Sequence, residues 1–428
     1  MDRLSFSLRG QDAARLRWLF LDLNAYFASV EQQENPRLRG KPIIVTPVAS
    51  DATCAIAASY EAKAFGIRTG TPVYEARRLC PGIKAVNARH DLYVEYHHRI
   101  VDEIERHLHV TKVESIDEVA CELLGSERRT ENALAIGREV QAGILENVGA
   151  CLRSSVGLGP SVLLAKTASD MKKPAGLTVL GADKLPGAIL GLELGDLCGI
   201  GRSLERRLHQ AGIHDIAALW GLSPSQARAI WGSIGGERFY YALHGIDPPD
   251  IVTHRQSIGH SHVLGPALRN RAAAYCVARK LLARAASRLR RAEHKAGRLV
   301  LWLRLEGQPH RDTALQFSHT ADTFSLLAAL DELWRGTVGS NERLTVKQVG
   351  ITLLDLIPIA DIAPDLFGWT PDAEERPERL RLSLAIDRLN QRYGVDTVAI
   401  GTPPAGLPAY MGAKIAFNRI PERKDFLG

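Results

Sequence analysis

The chain has 428 residues, 45% hydrophobic and 24% charged, an ordinary globular composition long enough for several cores. Its formal net charge of +6 favours a polyanionic partner, above all where the excess is clustered. No secretory stretch and no apolar run of spanning length occurs, and the six cysteines (Cys54, Cys80, Cys121, Cys151, Cys198, Cys276) are scattered, so a cytosolic protein without a membrane anchor is expected.

Residues 1–16 are polar, with Arg3, Arg9 and Arg15, and read as an N-terminal extension. Trp18-Leu19-Phe20-Leu21 reads as a buried strand that stops at Asp22-Leu23-Asn24, and helical spacing begins at Ala25. Two short strand-like runs follow at residues 41–45 and 54–58. A helix then starts near Ser59 and stops at Gly66. Further on, Val113, Ile116 and Val119 mark a strand that carries the adjacent acids Asp117 and Glu118. Neighbouring strand residues point to opposite faces, so both acids serve one site only where the strand bends or ends. Taken alone, the pair fits a solvated strand end equally well. Asp22, at the mouth of the first strand, tips the balance by adding a third carboxylate to one sheet edge. Hard oxygen donors in that number suit Mg²⁺. Two such ions roughly 3.5–4 Å apart can clamp the attacking and leaving oxygens of a phosphoryl transfer.

Residues 137–148 read as a helix, 154–159 as a strand, and 163–174 as a helix with a basic end. Gly199 and Gly201, followed by Arg206-Arg207, have the spacing of a helix-hairpin-helix whose backbone N–H groups face a phosphate. Asp247-Pro248-Pro249-Asp250 begins a linker. Between Arg269 and Arg298 ten cationic residues face the single acid Glu293. Val277, Leu281, Ala285 and Leu289 form an apolar stripe there, and Lys280, Arg284, Arg291 and Lys295 run beside it as a phosphate track. Strands are expected at 299–305 and 349–354, and a helix at 380–393, beyond an acidic, Pro-rich linker.

The run Asp22-Leu23-Asn24-Ala25-Tyr26-Phe27-Ala28-Ser29-Val30-Glu31, with Ser115-Ile116-Asp117-Glu118, resembles the two signature motifs of Y-family (translesion) DNA polymerases. The resemblance implies an α+β right-hand polymerase. Residues 17–25 and 90–180 would be a palm with a ferredoxin-like sheet, 26–89 fingers, and 181–247 a helix-hairpin-helix thumb. A linker at 248–256, a little finger at 257–358 and a tail at 359–428 would complete the chain. It implies dNMP addition to a primer 3′-OH, of the low-fidelity lesion-bypass type and without proofreading, by a monomer using two Mg²⁺, primer–template DNA and dNTP. Asp22 and Asp117 would bridge the metals, the Leu23 carbonyl would complete one, and Glu118 would hold the primer-side ion.

By the same resemblance Phe27 is a steric gate against a ribose 2′-OH, with Tyr26 near the triphosphate. Tyr60, Lys63 and Lys173 would neutralise the triphosphate, Lys63 standing where the family more often has arginine. Asp365-Leu366-Phe367 resembles a degenerate sliding-clamp peptide that lacks its glutamine. Other departures are Gly159-Pro160-Ser161-Val162 for the family's Ser-x-Asn-Lys, and Val119-Ala120 after the acidic pair. Asn24 for a second aspartate is similar to the UmuC-like branch. Two rival readings are a catalytically silent, clamp-tethered scaffold, which would lose the carboxylates, and a palm-fold nucleotidyl cyclase, which needs no thumb or basic little finger.

Overall fold

The computed structural model describes residues 16–49, 51, 53–249, 255–339, 344–361, 377–394, 396–401 and 420. The chain divides into two units near residue 250. The first is organised by β1 (Trp18–Leu23), whose six residues are all buried, as a central strand requires. Ala25, at φ +49, turns the chain into α1 (Tyr26–Glu34). That left-handed turn costs a non-glycine residue roughly 1–2 kcal/mol, and Asn24 holds it: its amide bonds the Ser155 hydroxyl and accepts from the Ala175 N–H. An aspartate could accept both bonds but could not donate, which gives the asparagine here a structural role.

A small three-stranded sheet follows, built from β2 (Ile43–Thr46), β3 (Ala57–Ala58) and, beyond α2 (Tyr60–Lys63) and α3 (Val73–Leu79), β4 (Lys84–Asn87). Ile44, Ala58, Ala62, Ile67 and Val73 form its core. Next come α4 (His90–Glu105), β5 (Lys112–Val113), β6 (Glu118–Glu122), α5 (Thr130–Gly143), β7 (Ser154–Gly159), α6 (Val162–Met171) and β8 (Leu177–Val179). They complete a five-stranded sheet in the order β5-β6-β1-β7-β8. The strand expected through residues 112–120 is in fact two short strands joined by a tight turn, and Asp117 sits in that turn. The helix expected to end at Val148 gives way to a π-helical turn over Ile144–Val148.

Helix α6 lies directly on β7, because Gly157 and Gly159 present no side chain to it. A methyl group at 157 would stand 1.9 Å from the Ala165 carbonyl oxygen and 2.3 Å from the Ser169 nitrogen. The other side of α6 joins a helical core with α7 (Arg202–Gln210), α8 (Ile216–Trp220), α9 (Pro224–Trp231) and α10 (Ile234–Leu243), in which Leu164, Ala168, Leu204, Leu208 and Leu219 are buried.

The second unit is a four-stranded antiparallel sheet packed on helices. Its elements are β9 (Ile258–Val263), α11 (Arg271–Arg291), β10 (His294–Leu305), β11 (Arg311–Thr320), α12 (Thr323–Val338), β12 (Val346–Pro358) and α13 (Pro377–Tyr393). The strand order is β11-β10-β12-β9. Leu299, Leu301, Leu303 and Leu305 alternate inward onto Val277, Leu281 and Leu330 of the helices. On the opposite face Trp302 stands across from Gly350 and fills the space a side chain there would need. Helix α13 docks on this core through Leu380, through Ser383, which accepts from the Thr323 N–H, and through Asp387, which accepts a fork from Arg290 at 2.7 and 2.8 Å.

Candidate active site

Period-two alternation on β1 puts Trp18, Phe20 and Asp22 on one face, and Trp18 and Phe20 pack with Ala120 and Ala165 beneath α6. Asp22 is therefore the polar end of a buried apolar row. The antiparallel register sets Asp22 opposite Glu118 of β6 and Ser155 of β7. Asp117 is brought alongside by its turn: the Leu23 N–H donates to the Asp117 carbonyl at 2.8 Å. The same turn is pinned from below, where His97 Nδ1 lies 2.8 Å from the Ile116 carbonyl. Burial holds His97 down to about 4, so the neutral ring donates that bond.

Each acid has its own partner. Asp22 Oδ2 meets Lys173 Nζ at 2.6 Å, and Lys173 also reaches Asp170 at 2.7 Å. Glu118 Oε1 accepts from Lys166 Nζ at 2.5 Å, and Asp117 Oδ1 accepts from the Ser115 hydroxyl at 2.6 Å. Among the described residues no three acidic, histidine or cysteine side chains converge at metal-holding spacing. The three carboxylates thus share one sheet edge, each on a partner of its own. Like charges repel, and each has turned to the nearest donor.

The donor set still fits a hard divalent cation. Three carboxylates and the Leu23 carbonyl offer oxygen alone, and two ammonium groups now supply the positive charge the acids need. Burial pushes Asp22 up to about 6, with the charges of Asp117 and Asp170 adding to the rise and Lys173 opposing it. Burial pulls Lys173 down, but Asp22 and Asp170 more than offset this and hold it at about 12.

The raised Asp22 value carries a stability consequence. Ionised Asp22 is penalised in the folded state, so the penalty is absent below about pH 4, grows through pH 6 and is complete above it. Asp22→Asn should therefore raise the melting temperature at pH 7.5, and the gain should vanish by pH 4. An equal gain at both pH values would show that the effect is packing rather than ionisation.

Phe27 is half-buried on α1, and its ring stacks on Tyr93 of α4 at 4.3 Å and 14°. Tyr93 is held in turn by Glu31, which takes its hydroxyl at 2.8 Å and a fork from Arg89 at 2.6 and 3.1 Å. Tyr26, expected near a triphosphate, is 3% exposed and donates its hydroxyl to the Tyr93 carbonyl at 2.6 Å, so it lies beneath the site as a support. Tyr60 and Lys63 sit on α2, one turn whose first N–H groups are capped by Ser59, with Lys63 Nζ 4.2 Å from the Tyr60 ring centre. Burial and the nearby Lys173 both lower Lys63, while Asp22 raises it, so α2 and Lys173 share one electrostatic neighbourhood.

Lys166 and Asp170 escaped the sequence reading. With Lys173 they fall at spacings of four and three, one face of α6 and its end, and that face is what meets the sheet edge.

The residues expected to hold DNA fare unevenly. Gly201 caps α7, and Gly199, at φ +92, makes the turn before it. The element ahead of them is a 3₁₀ turn, Leu194–Asp196, rather than the first helix of a pair. On α11 the expected track is broken. Lys280 and Arg284 are largely buried and both bind Asp396, at 2.7 and 2.8 Å, because the segment after α13 covers that flank. Arg291 is exposed at the end of α11, while Lys295 lies on β10 and not on the helix. Asp365, Leu366 and Phe367 lie outside the described residues.

The impB/mucB/samB family model matches residues 21–170, and the model of that family's C-terminal domain matches residues 255–366. The DNA polymerase IV of Moorella thermoacetica is 35% identical over 393 residues, covering 88% of this chain and 93% of its own. The DNA polymerase IV of Pelotomaculum thermopropionicum is 31% identical over 402 residues, covering 91% and 96%. Among solved structures, a Y-family DNA polymerase chimera superposes with a TM-score of 0.63 at 23% identity, over 80% of this chain and 99% of its own. The Dbh ternary complex superposes with a TM-score of 0.51 at 24% identity over the same 80%. These structures share the fold.

Proposed function

The chain belongs to the impB/mucB/samB family of Y-family DNA polymerases, and on that premise we propose that Asp22, Asp117 and Glu118 are the catalytic carboxylates of a low-fidelity, lesion-bypass DNA polymerase. The observation that carries the assignment is the Asp22–Glu118 register pair at one sheet edge, neutralised by Lys173 and Lys166 of one helical segment.

In the reaction the primer 3′-oxygen attacks the α-phosphorus of a dNTP, the bond to the β-phosphate oxygen breaks, and pyrophosphate leaves. Held by Asp22, the Leu23 carbonyl, Asp117 and Glu118, two Mg²⁺ would supply Lewis-acid stabilisation of the phosphoryl charge and acidify the attacking hydroxyl. Lys173, Lys63 and the Tyr60 hydroxyl meet the triphosphate. A dianionic phosphate offers Lys173 more charge than the single carboxylate it now holds, so substrate arrival favours its release from Asp22. Lys166 keeps Glu118 oriented at the edge until the primer terminus is in place. Phe27, braced by Tyr93, fills the volume of a ribose 2′-OH.

Gly199, Gly201, Arg291 and Lys295 are proposed as duplex contacts, and Lys280 and Arg284 are withdrawn from that role because they hold Asp396. Asp365, Leu366 and Phe367 are proposed as a sliding-clamp peptide on sequence likeness alone. On this reading, which rests on the likeness to bacterial DNA polymerase IV, the protein works as a cytoplasmic monomer. A silent scaffold is not favoured, because all three carboxylates are kept and relatives matched over 93% and 96% of their length are named polymerases. Primer extension on undamaged and lesion-bearing templates tests the proposal. The expected result is Mg²⁺-dependent, distributive dNMP addition with no 3′→5′ degradation; absence of addition on every template would refute it.

A further inference from the structure

Helix α13 begins eleven residues past the end of the C-terminal family match, which stops at 366, and it carries a face that no other described element packs on. Its docked side is Leu380, Ser383 and Asp387, which bind α12 and α11. Away from that side, Leu382, Ile386, Leu389 and Tyr393 recur at intervals of four, three and four, the alternation of a coiled-coil seam. Leu382, Leu389 and Tyr393 are 51%, 42% and 61% exposed, and the stripe runs about 17 Å along the helix. A lone exposed leucine is unremarkable, but three exposed apolar residues in register with the half-buried Ile386 make a stripe that a partner helix can fill.

The edges of the stripe say what fits it. Arg381, Arg388 and Arg392 are exposed along one edge and form no ion pair with any described residue. The acids of α13 are only Glu378 and Asp387, and Asp387 is committed to Arg290. We propose that the stripe receives an acidic amphipathic helix of a partner protein, with leucine-type anchors in the seam and carboxylates on the three arginines. A second copy of this chain is the poorer occupant. The edge nearest Ser383 and Asn390 is turned to the chain's own domain, so two copies would meet through their other edges and set arginine against arginine.

The test uses the full chain and two synthetic helical peptides with the same leucine seam, one flanked by glutamates and one by lysines, read by fluorescence anisotropy. The acidic peptide should bind, more weakly at high salt, and the lysine peptide should not. Leu382→Ser/Leu389→Ser should weaken binding about tenfold or more, with the melting temperature and basal primer extension unchanged. The surface variant Arg381→Glu/Arg388→Glu/Arg392→Glu should reverse the preference between the peptides. Equal binding of both peptides, or of neither, overturns the proposal. So does a wild-type dimer in sedimentation that the serine variant abolishes, which would make a second copy the occupant. Loss of melting temperature and basal activity together in the serine variant also overturns it, because the stripe would then belong to the chain's own core.

Discussion

Replacing Asp117 and Glu118 together with alanine should cut single-turnover nucleotide insertion by at least about 10³-fold, since charge stabilisation at the reacting phosphate dominates catalysis in this chemistry. Primer–template affinity should change by no more than about threefold, because phosphate contacts on other elements supply it. The split between the two readouts is the point of the experiment. Asp117 is fixed by the Leu23 N–H and Ser115, and Glu118 by Lys166, so neither holds a large part of the fold together. A variant that extends a primer at near the parent rate would remove these residues from the catalytic role. One that loses insertion and duplex affinity together would point to a folding defect.

The second large effect is on sugar selection. Phe27→Ala should lower the ratio of dNTP to rNTP insertion by about 100-fold, because steric exclusion is the only discrimination proposed at this position. The measurement is the ratio of insertion efficiencies for one base in the two sugar forms. Phe27 is stacked on Tyr93, whose hydroxyl donates to Glu31, itself held by an Arg89 fork, so the proposed gate is backed by a fixed shelf. If the substitution merely loosened that packing, insertion of both sugars would fall in parallel and the ratio would hold. That outcome would leave Phe27 a core aromatic.

The strand that carries Asp22 was legible because its signals are local. An unbroken apolar run ending in Asp22 reads as a central strand with an acid at its mouth, and β1 is that strand. The acidic pair was legible as a candidate site but not as geometry. Nothing local in residues 112–120 distinguishes one strand from two joined by a turn, since Ile116 continues the apolar spacing but lies in the turn. Lys166 and Asp170 went unread because charged residues at helical spacing usually face solvent, and only the close approach at Gly157 and Gly159 turns them to the sheet edge. The basic track on α11 failed for the opposite reason. Its cations are clustered in sequence, but the acid that meets Arg284 lies 112 residues away, beyond a segment whose path no local pattern gives. Exposure of the α13 stripe was equally hidden, since an amphipathic helix does not announce which of its two apolar flanks its own domain will take.

When DNA and nucleotide are bound, Asp22, Asp117 and Glu118 should give up Lys173, Ser115 and Lys166 to hold two divalent cations. The check is to count bound Mn²⁺ by electron paramagnetic resonance with primer–template and a non-hydrolysable dNTP analogue present. Two tightly bound ions per chain are predicted for the parent, and fewer for Asp117→Ala/Glu118→Ala under the same conditions. The same stoichiometry and affinity in both proteins would contradict it.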